Sequence, residues 1–269
     1  MKDTILFYHG NCPDGFGSAY AFWKKYGDSI DYQAVSHGDD IPDVTGRKVF
    51  FADIAMCREI TLRVADQAKE ITILDHHVSR YDELKDLPYF NYSDSKSGAG
   101  MSWEFCHPDK KIPLVIEYVQ DRDIWKWGLD FGKEILSVLD STPFTFQDWD
   151  RFESLIQANF MSIVRQGGAI LKYCETLMSR IKRDQHTLVI KGHTVPAINT
   201  PFFRSELLAE LCIGHPFSAG YHYNGEHFIF SLRSYEEGLD VAEIASLFPD
   251  GGGHRNASGF KIKTLDELK

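Results

Sequence analysis

Short apolar runs alternate with helix-like segments along the first half of the chain. The apolar runs are ILFYHG from residue 5, IDYQAVSH from residue 30, KVFFADI from residue 48 and ITILDHH from residue 71. Segments such as DGFGSAYAFWKKYG and EITLRVADQAK lie between them and place apolar residues at helical spacing. Strands that alternate with helices of about 10–15 residues are typical of a parallel sheet with helices on both faces. We therefore predict an α/β fold with a mostly parallel sheet here.

The second half predicts a smaller domain of different character. Residues 112–183 have helical patterns, and we interpret residues 161–184 as a long linker helix. Strand-like segments and one amphipathic helix follow, with Asn224-Gly225 between two aromatic strands as a signal for a type I′ hairpin. We predict a first domain over residues 1–160 and a C-terminal α/β domain over residues 185–269.

Polar side chains stand where the predicted strands of the first domain end. In such sheets, ligands bind at the carboxyl ends of the strands. Several carboxylates gathered at one sheet edge repel one another unless cations compensate them. Carboxylate and imidazole together suit manganese, iron or zinc, and two ions bridged by one carboxylate would hold a phosphate and activate a water. The alternative is that each acid is a helix cap and each histidine a core residue. The candidates are His9, Asp14, Asp53, Asp75, His76, His77, Asp121 and Asp123.

Composition and charge argue against a long-duplex-binding protein, a membrane protein and a disulfide-bonded secreted protein. The chain has 269 residues, 43% of them hydrophobic, and a formal net charge of −10. Such an acidic protein is poorly suited to long duplex nucleic acid, whose affinity comes from neutralising many phosphates. No apolar stretch is long enough to span a membrane, and the N-terminal apolar run is too short for a signal peptide. The five scattered cysteines contain no CxxC pair, so we expect a reducing, cytoplasmic environment.

Five motifs resemble those of the DHH phosphoesterase superfamily, in that family's order. They are HGNCPDGFGSA, FFADI, ITILDHH, VQDRDIW and, near the C-terminus, GGGHRNASGF. The resemblance implies a DHH catalytic domain followed by a DHH-associated substrate-binding domain. It also implies a metal-dependent phosphodiesterase of the oligoribonuclease or RecJ-like exonuclease branch. With the acidic charge, we expect short single-stranded oligonucleotides or linear dinucleotides as substrates. The alternatives are a pyrophosphatase or polyphosphatase, and a nucleotide-binding module with weakened catalysis.

The resemblance also implies roles for individual residues. His9 and Asp53 would hold one ion and Asp14, Asp53, His76 and Asp121 a second, with two Mn²⁺ expected and zinc or iron possible. We choose Asp121 over Asp123 because it directly follows an apolar run. His77 would bond the scissile phosphate or the leaving oxygen, and Asp75 would orient an imidazole. The residues expected to bind substrate are Arg233, Gly252, Gly253 and His254, with the glycines forming a backbone nest for an anion.

Two features stay open or receive no functional assignment. Cys12 stands where the family usually has a carboxylate, and it is equally a thiolate ligand or a small buried residue. We expect the tryptophans of helical segments to be core residues and assign none of them to substrate. Those tryptophans are Trp103, Trp125, Trp127 and Trp149.

Overall fold

The structure is a computed structural model that describes residues 2–249 and 251–269, and the elements below are those of these residues. The chain divides into two compact units. Unit 1 comprises residues 1–171 and unit 2 residues 172–269. The division falls inside a long helix, and the predicted boundaries at residues 160 and 184 stay predictions.

Unit 1 is built on a five-stranded sheet with strand order β2-β1-β3-β4-β5. All the neighbouring strands pair in parallel, as predicted. This order reverses direction between β1 and β3, which makes their carboxyl ends the point where such folds bind ligands. The strands are β1 (Thr4–His9), β2 (Asp31–Val35), β3 (Lys48–Ala52), β4 (Glu70–Asp75) and β5 (Phe90–Tyr92).

Helices cover both faces of this sheet, so its central strands are apolar on both sides. Phe7 stacks on Phe51 on one face, where Val64 of α2 joins the same core. Leu6 and Phe22 lie in the core of the opposite face, which α1 and α4 cover. The helices between and directly after the five strands are α1 (Pro13–Tyr26), α2 (Arg58–Gln67), α3 (Val78–Leu84) and α4 (Gly98–Cys106).

A helical region follows the sheet, as the sequence predicts. It consists of α5 (Leu114–Asp123), α6 (Gly132–Asp140) and α7 (Phe146–Ile181), which is interrupted by non-helical dihedral angles at Asn159. Trp149 and Trp103 are buried in its core, as expected. Trp125 and Trp127 are not, because α5 ends before them. Within the described residues, no helix combines the length and the apolar composition that crossing a bilayer demands.

Unit 2 contains a six-stranded sheet with order β10-β11-β9-β8-β7-β6. Only β7 and β8 pair in parallel; the other pairs are antiparallel. Phe230 and Phe260 stack in the main core, which α9 also enters. The elements are β6 (His186–Ile190), β7 (His193–Asn199), α8 (Arg204–Leu211), β8 (Ser218–Tyr223), β9 (Phe228–Arg233), α9 (Val241–Ser246), β10 (Gly252–His254) and β11 (Ala257–Ile262).

The predicted hairpin joins β8 and β9, but its turn is longer than the two residues of a type I′ turn. Its loop spans residues 224–227. The Asn224 side-chain oxygen accepts hydrogen bonds from the backbone N–H groups of Glu226 (3.0 Å) and His227 (2.8 Å). This side-chain capping of the loop replaces the tighter turn.

Candidate metal centre

The strand ends of unit 1 converge as predicted. His9 ends β1, Asp53 directly follows β3, and Asp75 ends β4. Because β3 pairs with both β1 and β4, these three ends are neighbours along one edge of the sheet. His76 and His77 continue from β4 at the same edge.

Asp53 is the centre of this edge, and we call it the bridging aspartate. It is 1% exposed and adopts left-handed backbone angles (φ 59°), which aspartate tolerates better than most residues. Its Oδ2 lies 3.4 Å from His9 Nδ1, and its Oδ1 lies 3.2 Å from His76 Nε2. Neither oxygen has a hydrogen-bond partner of acceptable geometry in the described part of the chain. A buried carboxylate without hydrogen bonds is costly unless something else compensates its charge.

Asp14, near the start of α1, lies close to the same ring of His76 that Asp53 contacts. Its Oδ2 lies 3.7 Å from His76 Nε2. Its two oxygens also accept hydrogen bonds from the first N–H groups of α4, those of Gly98 (2.6 Å) and Ala99 (3.1 Å). A Cβ at Gly98 would lie 2.4 Å from the Cβ of Asp53, so only glycine allows this approach.

The end of α5 brings Asp123, not Asp121, to this centre. Asp123 Oδ2 lies 3.3 Å from His76 Nε2. The carboxylate of Asp121 instead accepts hydrogen bonds from the backbone N–H groups of Gly128 (3.0 Å) and Leu129 (3.1 Å). The sequence-based assignment of Asp121 to the metal centre is therefore corrected to Asp123, because the oxygens of Asp121 already hold the loop after α5.

Asp75 orients His77, as expected of a carboxylate behind an imidazole. Its Oδ1 lies 2.7 Å from His77 Nδ1 and also accepts the His76 N–H at 2.9 Å. The bond to Asp75 raises the pKa of His77. His77 Nδ1 is 4.0 Å from Asp53 Oδ1, but its bond to Asp75 occupies it, so the free nitrogen of this ring is Nε2.

Two groups of side chains are therefore compact enough to hold metal ions. One contains His9, Asp53 and His77, the other Asp14, His76 and Asp123, and in each the potential ligand atoms lie within 4.8 Å of one another. Asp53 contacts both groups, since its two oxygens face His9 and His76 respectively. Oxygen and imidazole donors together suit Mn²⁺, Fe²⁺ or Zn²⁺.

The electrostatics of the centre fit a cation. Burial, reinforced by the Asp53 and Asp123 carboxylates, raises the pKa of Asp14 well above its usual range. Burial alone would raise the pKa of Asp53, but the rings of His76 and His9 outweigh it and keep that pKa below its usual range. The Asp53 carboxylate in turn raises the pKa of His9 to about 10. The raised pKa values of Asp14 and His9 favour proton binding at positions where a divalent ion would compete with the proton. With the unpartnered oxygens of Asp53, the donor set fits such an ion.

Cys12 and His37 flank the centre. Cys12 precedes α1 and contacts His9, whose pKa it helps to raise, but it belongs to neither group of potential ligands among the described residues. Its role as a ligand stays open. The ring of His37 lies 5.7 Å from that of His9 and 6.1 Å from that of His77. We assigned His37 no role from the sequence, although its position just after β2 places it at the same sheet edge.

Two of the predicted substrate-binding residues of unit 2, Arg233 and His254, share one row of its sheet. His254 pairs with Ala257, which pairs with Arg233. Side chains in one antiparallel row face the same side, so Arg233 and His254 lie on one face about 10 Å apart. Arg233 is half-buried and donates a hydrogen bond to the Ser205 hydroxyl at 3.1 Å.

The expected anion nest does not form. Gly252 and Gly253 belong to the edge strand β10, where they pair with Gly259 and Ser258. Gly253 has φ 140°, and a Cβ there would lie 2.6 Å from the carbonyl oxygen of Ala257. Gly253 therefore permits close strand pairing, whereas a Cβ at Gly252 would meet open space.

Comparisons with known proteins find a similar viral protein and a solved structure of similar fold. No family model matches the sequence. The uncharacterised protein R106 of Acanthamoeba polyphaga mimivirus is 30% identical over 97% of this chain and 68% of its own length. An exopolyphosphatase-related protein from Bacteroides fragilis superposes with a TM-score of 0.53 at 14% identity, covering 99% of this chain and 89% of that one. At that identity the likeness shows the fold. A pGpG-specific phosphodiesterase, PggH, from Vibrio cholerae gives a TM-score of 0.46 at 14% identity, over 98% and 94% of the two chains.

Proposed function

The chain belongs to the same family as protein R106 of Acanthamoeba polyphaga mimivirus, and we propose that it is a DHH-type, divalent-metal-dependent phosphodiesterase of short oligonucleotides or linear dinucleotides. One observation carries this proposal. The buried bridging aspartate faces His9 with one oxygen and His76 with the other, and neither oxygen has a hydrogen bond within the described residues. A carboxylate whose two oxygens face two groups of potential ligands is placed to bridge two metal ions, as a two-metal site for phosphoryl chemistry requires.

Each of the two groups would contribute ligands to one ion, except that His77 of the first group is bonded to Asp75 and is left for the substrate. His9 and Asp53 would hold the first; Asp14, His76 and Asp123, with Asp53 between the groups, would hold the second. When bound, the ions would supply Lewis acidity for the phosphoryl oxygens and for a nucleophilic water. Manganese is the metal that the resemblance to the DHH phosphoesterases implies, and the carboxylate and imidazole donors suit zinc and iron as alternatives.

His77 would act on the substrate rather than on a metal. Asp75 accepts a hydrogen bond from Nδ1, so the ring presents Nε2 on its other side. Asp75 raises the pKa of His77, which favours the doubly protonated ring, and the Nε2–H of that ring would donate to the leaving oxygen. In unit 2 we assign the phosphate or base of the substrate to the face that carries Arg233 and His254.

The preference for short substrates follows from charge. The chain is acidic overall, with a formal net charge of −10, so it lacks the excess of cations that long nucleic acids require. A dinucleotide needs only a few local contacts for its phosphates. The exopolyphosphatase-related neighbour makes inorganic polyphosphate the main competing substrate to test.

A substrate panel with and without metal tests the proposal. The purified chain is stripped with a chelator, reloaded with Mn²⁺ and assayed on pApA, cyclic di-AMP, pyrophosphate, tripolyphosphate and a long single strand. We expect manganese-dependent hydrolysis of pApA in preference to the other compounds. Asp53→Asn, which keeps the size of the side chain, should abolish this hydrolysis. Asp266→Asn is the matched control, because that carboxylate is 92% exposed at the C-terminus.

Three outcomes would contradict the proposal. Faster hydrolysis of tripolyphosphate than of pApA would make the protein a polyphosphatase. Full activity of Asp53→Asn would eliminate the bridging role of this residue. Binding of pApA without hydrolysis under any metal would make the chain a nucleotide-binding module.

A further inference from the structure

Two exposed tryptophans follow Asp123 in the chain, in the loop after α5. The loop 124–131 connects α5 to α6, and within it Trp125 is 77% exposed and Trp127 38% exposed. Their ring centroids are 5.8 Å apart, with the planes tilted by 57°. The sequence-based expectation that they are core residues is therefore wrong. Large aromatic surfaces of this kind mark a binding function when they stand together beside a site.

The loop that carries these rings is firmly held. The Asp121 side chain accepts hydrogen bonds from Gly128 and Leu129, and its backbone carbonyl accepts the N–H groups of Lys126 (2.9 Å) and Trp127 (3.2 Å). Trp125 and Trp127 both have positive φ, 60° and 48°, which bulky side chains rarely adopt. A strained backbone fixed by its surroundings is typical of functional positions. The indole rings are thus presented by a defined loop rather than by a loose one.

The loop begins directly after Asp123, so it starts close to the phosphate that the centre would bind. Trp125 is two residues after Asp123, whose carboxylate belongs to the potential metal ligands. Two trans peptide units span at most about 7.6 Å between Cα atoms. An indole side chain on that backbone is therefore close enough in the chain to reach the sugar or base of a nucleotide whose phosphate the centre would hold. Lys126, between the two tryptophans, is exposed and gives this loop a positive charge.

We propose that the Trp125 indole stacks on a nucleobase of the substrate, next to the phosphate held at the metal centre. Trp127 supports Trp125 through their ring contact. The inference rests on the proposed function and makes it specific: the enzyme recognises nucleotides through a base, and inorganic phosphate chains lack the group that it stacks on. Stacking of a base on an aromatic residue contributes about 5- to 150-fold to affinity and tolerates every base.

Two small ligands that differ only in the base test this inference. Adenosine monophosphate and ribose 5-phosphate are titrated into the manganese-loaded protein by calorimetry. We expect the wild-type chain to bind the nucleotide about 5- to 150-fold more tightly than the sugar phosphate. Trp125→Ala should bind both ligands equally, with its affinity for ribose 5-phosphate and its manganese content unchanged. Trp125→Phe, which keeps an aromatic ring, should retain most of the preference.

The matched control is Tyr173→Ala, which removes an aromatic ring that is 63% exposed on α7. This variant should keep the full preference for the nucleotide. Equal binding of both ligands by the wild-type chain, or an unchanged preference in Trp125→Ala, would overturn the inference. If the wild-type chain still hydrolyses pApA in that case, the proposed function survives without the stacking contact. Absence of both hydrolysis and ligand binding would overturn the two together. A change in oligomeric state of Trp125→Ala with an intact preference would assign the indoles to a second copy of the chain.

Discussion

Asp121 and Asp123 stand two positions apart at the end of α5, and their replacement by asparagine should have opposite consequences. Asp121 accepts two backbone hydrogen bonds from the loop after the helix. Asparagine keeps one acceptor oxygen but turns the second position into a donor that faces a backbone N–H. Hydrogen bonds to charged groups contribute about 1.5–3 kcal/mol each. We therefore expect Asp121→Asn to lower the free energy of unfolding by about 2 kcal/mol, or Tm by about 4–8 °C.

Asp123→Asn should leave the metal-free fold intact. In the described residues its carboxylate accepts no backbone hydrogen bond, and its contact is the ring of His76. Burial, opposed by His76 and reinforced by the Asp53 carboxylate, raises the pKa of Asp123, so neutralising it removes repulsion from the apo protein. The same change removes a ligand oxygen. We expect the Tm of the chelated protein to stay equal or to rise, while manganese affinity at one site falls at least about tenfold.

Differential scanning calorimetry in chelator and a manganese titration measure the two effects separately. The expected pattern is a loss of stability for Asp121→Asn and a loss of metal for Asp123→Asn. The reverse pattern, in which Asp121→Asn keeps its apo Tm but loses manganese, would show that the loop contacts of Asp121 do not define its role. The choice of Asp121 from the sequence would then have been right.

Three further predictions concern other parts of the two units. Gly98→Ala should lose manganese binding and about 1–3 kcal/mol of stability, because its Cβ would overlap the bridging aspartate. Gly168→Ala, which has open space around its Cβ, should keep both the metal and the stability, as measured by manganese titration and thermal unfolding. If the Cys12 thiol does not bind metal, Cys12→Asp should raise manganese affinity about tenfold and Cys12→Ser should leave it unchanged. Loss of metal in Cys12→Ser would instead identify a thiolate ligand. Arg233→Ala and His254→Ala should raise the KM for pApA with kcat and bound manganese unchanged; metal loss in either variant would refute its assignment to substrate.

The fold of unit 1 is predictable because its strands obey a simple physical rule. Strands covered by helices on both faces are apolar at nearly every position, so runs such as β1 and β3 stand out from their surroundings. Short elements escape this rule. The three-residue strands β5 and β10 contain too few positions for any periodicity, and β10 consists largely of glycine. Pairing with a neighbouring strand, β4 for β5 and β11 for β10, decides their conformation.

The candidate site was predictable to the extent that strand ends determine it. His9, Asp53 and His76 meet because their strands are neighbours in a parallel sheet. The choice between Asp121 and Asp123 depends instead on which carboxylate accepts the hydrogen bonds from the backbone N–H groups of the loop after α5. Residues with left-handed backbone angles determine the path of that loop. The same loop exposes Trp125, whose sequence spacing continues a helix that has already ended.

The left-handed conformation of Asp53 has a consequence for how such a protein can change over time. Asparagine shares the tolerance of aspartate for these backbone angles and nearly its shape, whereas β-branched residues would be strained there. A single-nucleotide change from an aspartate to an asparagine codon can therefore remove the bridging charge while the strand end, the neighbouring glycine of α4 and the surrounding core stay in place. Catalysis and architecture are separable at this position in one mutational step. Under the proposed function, a lineage of this fold could thus pass from hydrolysing a nucleotide to only binding it, without an unfolded intermediate.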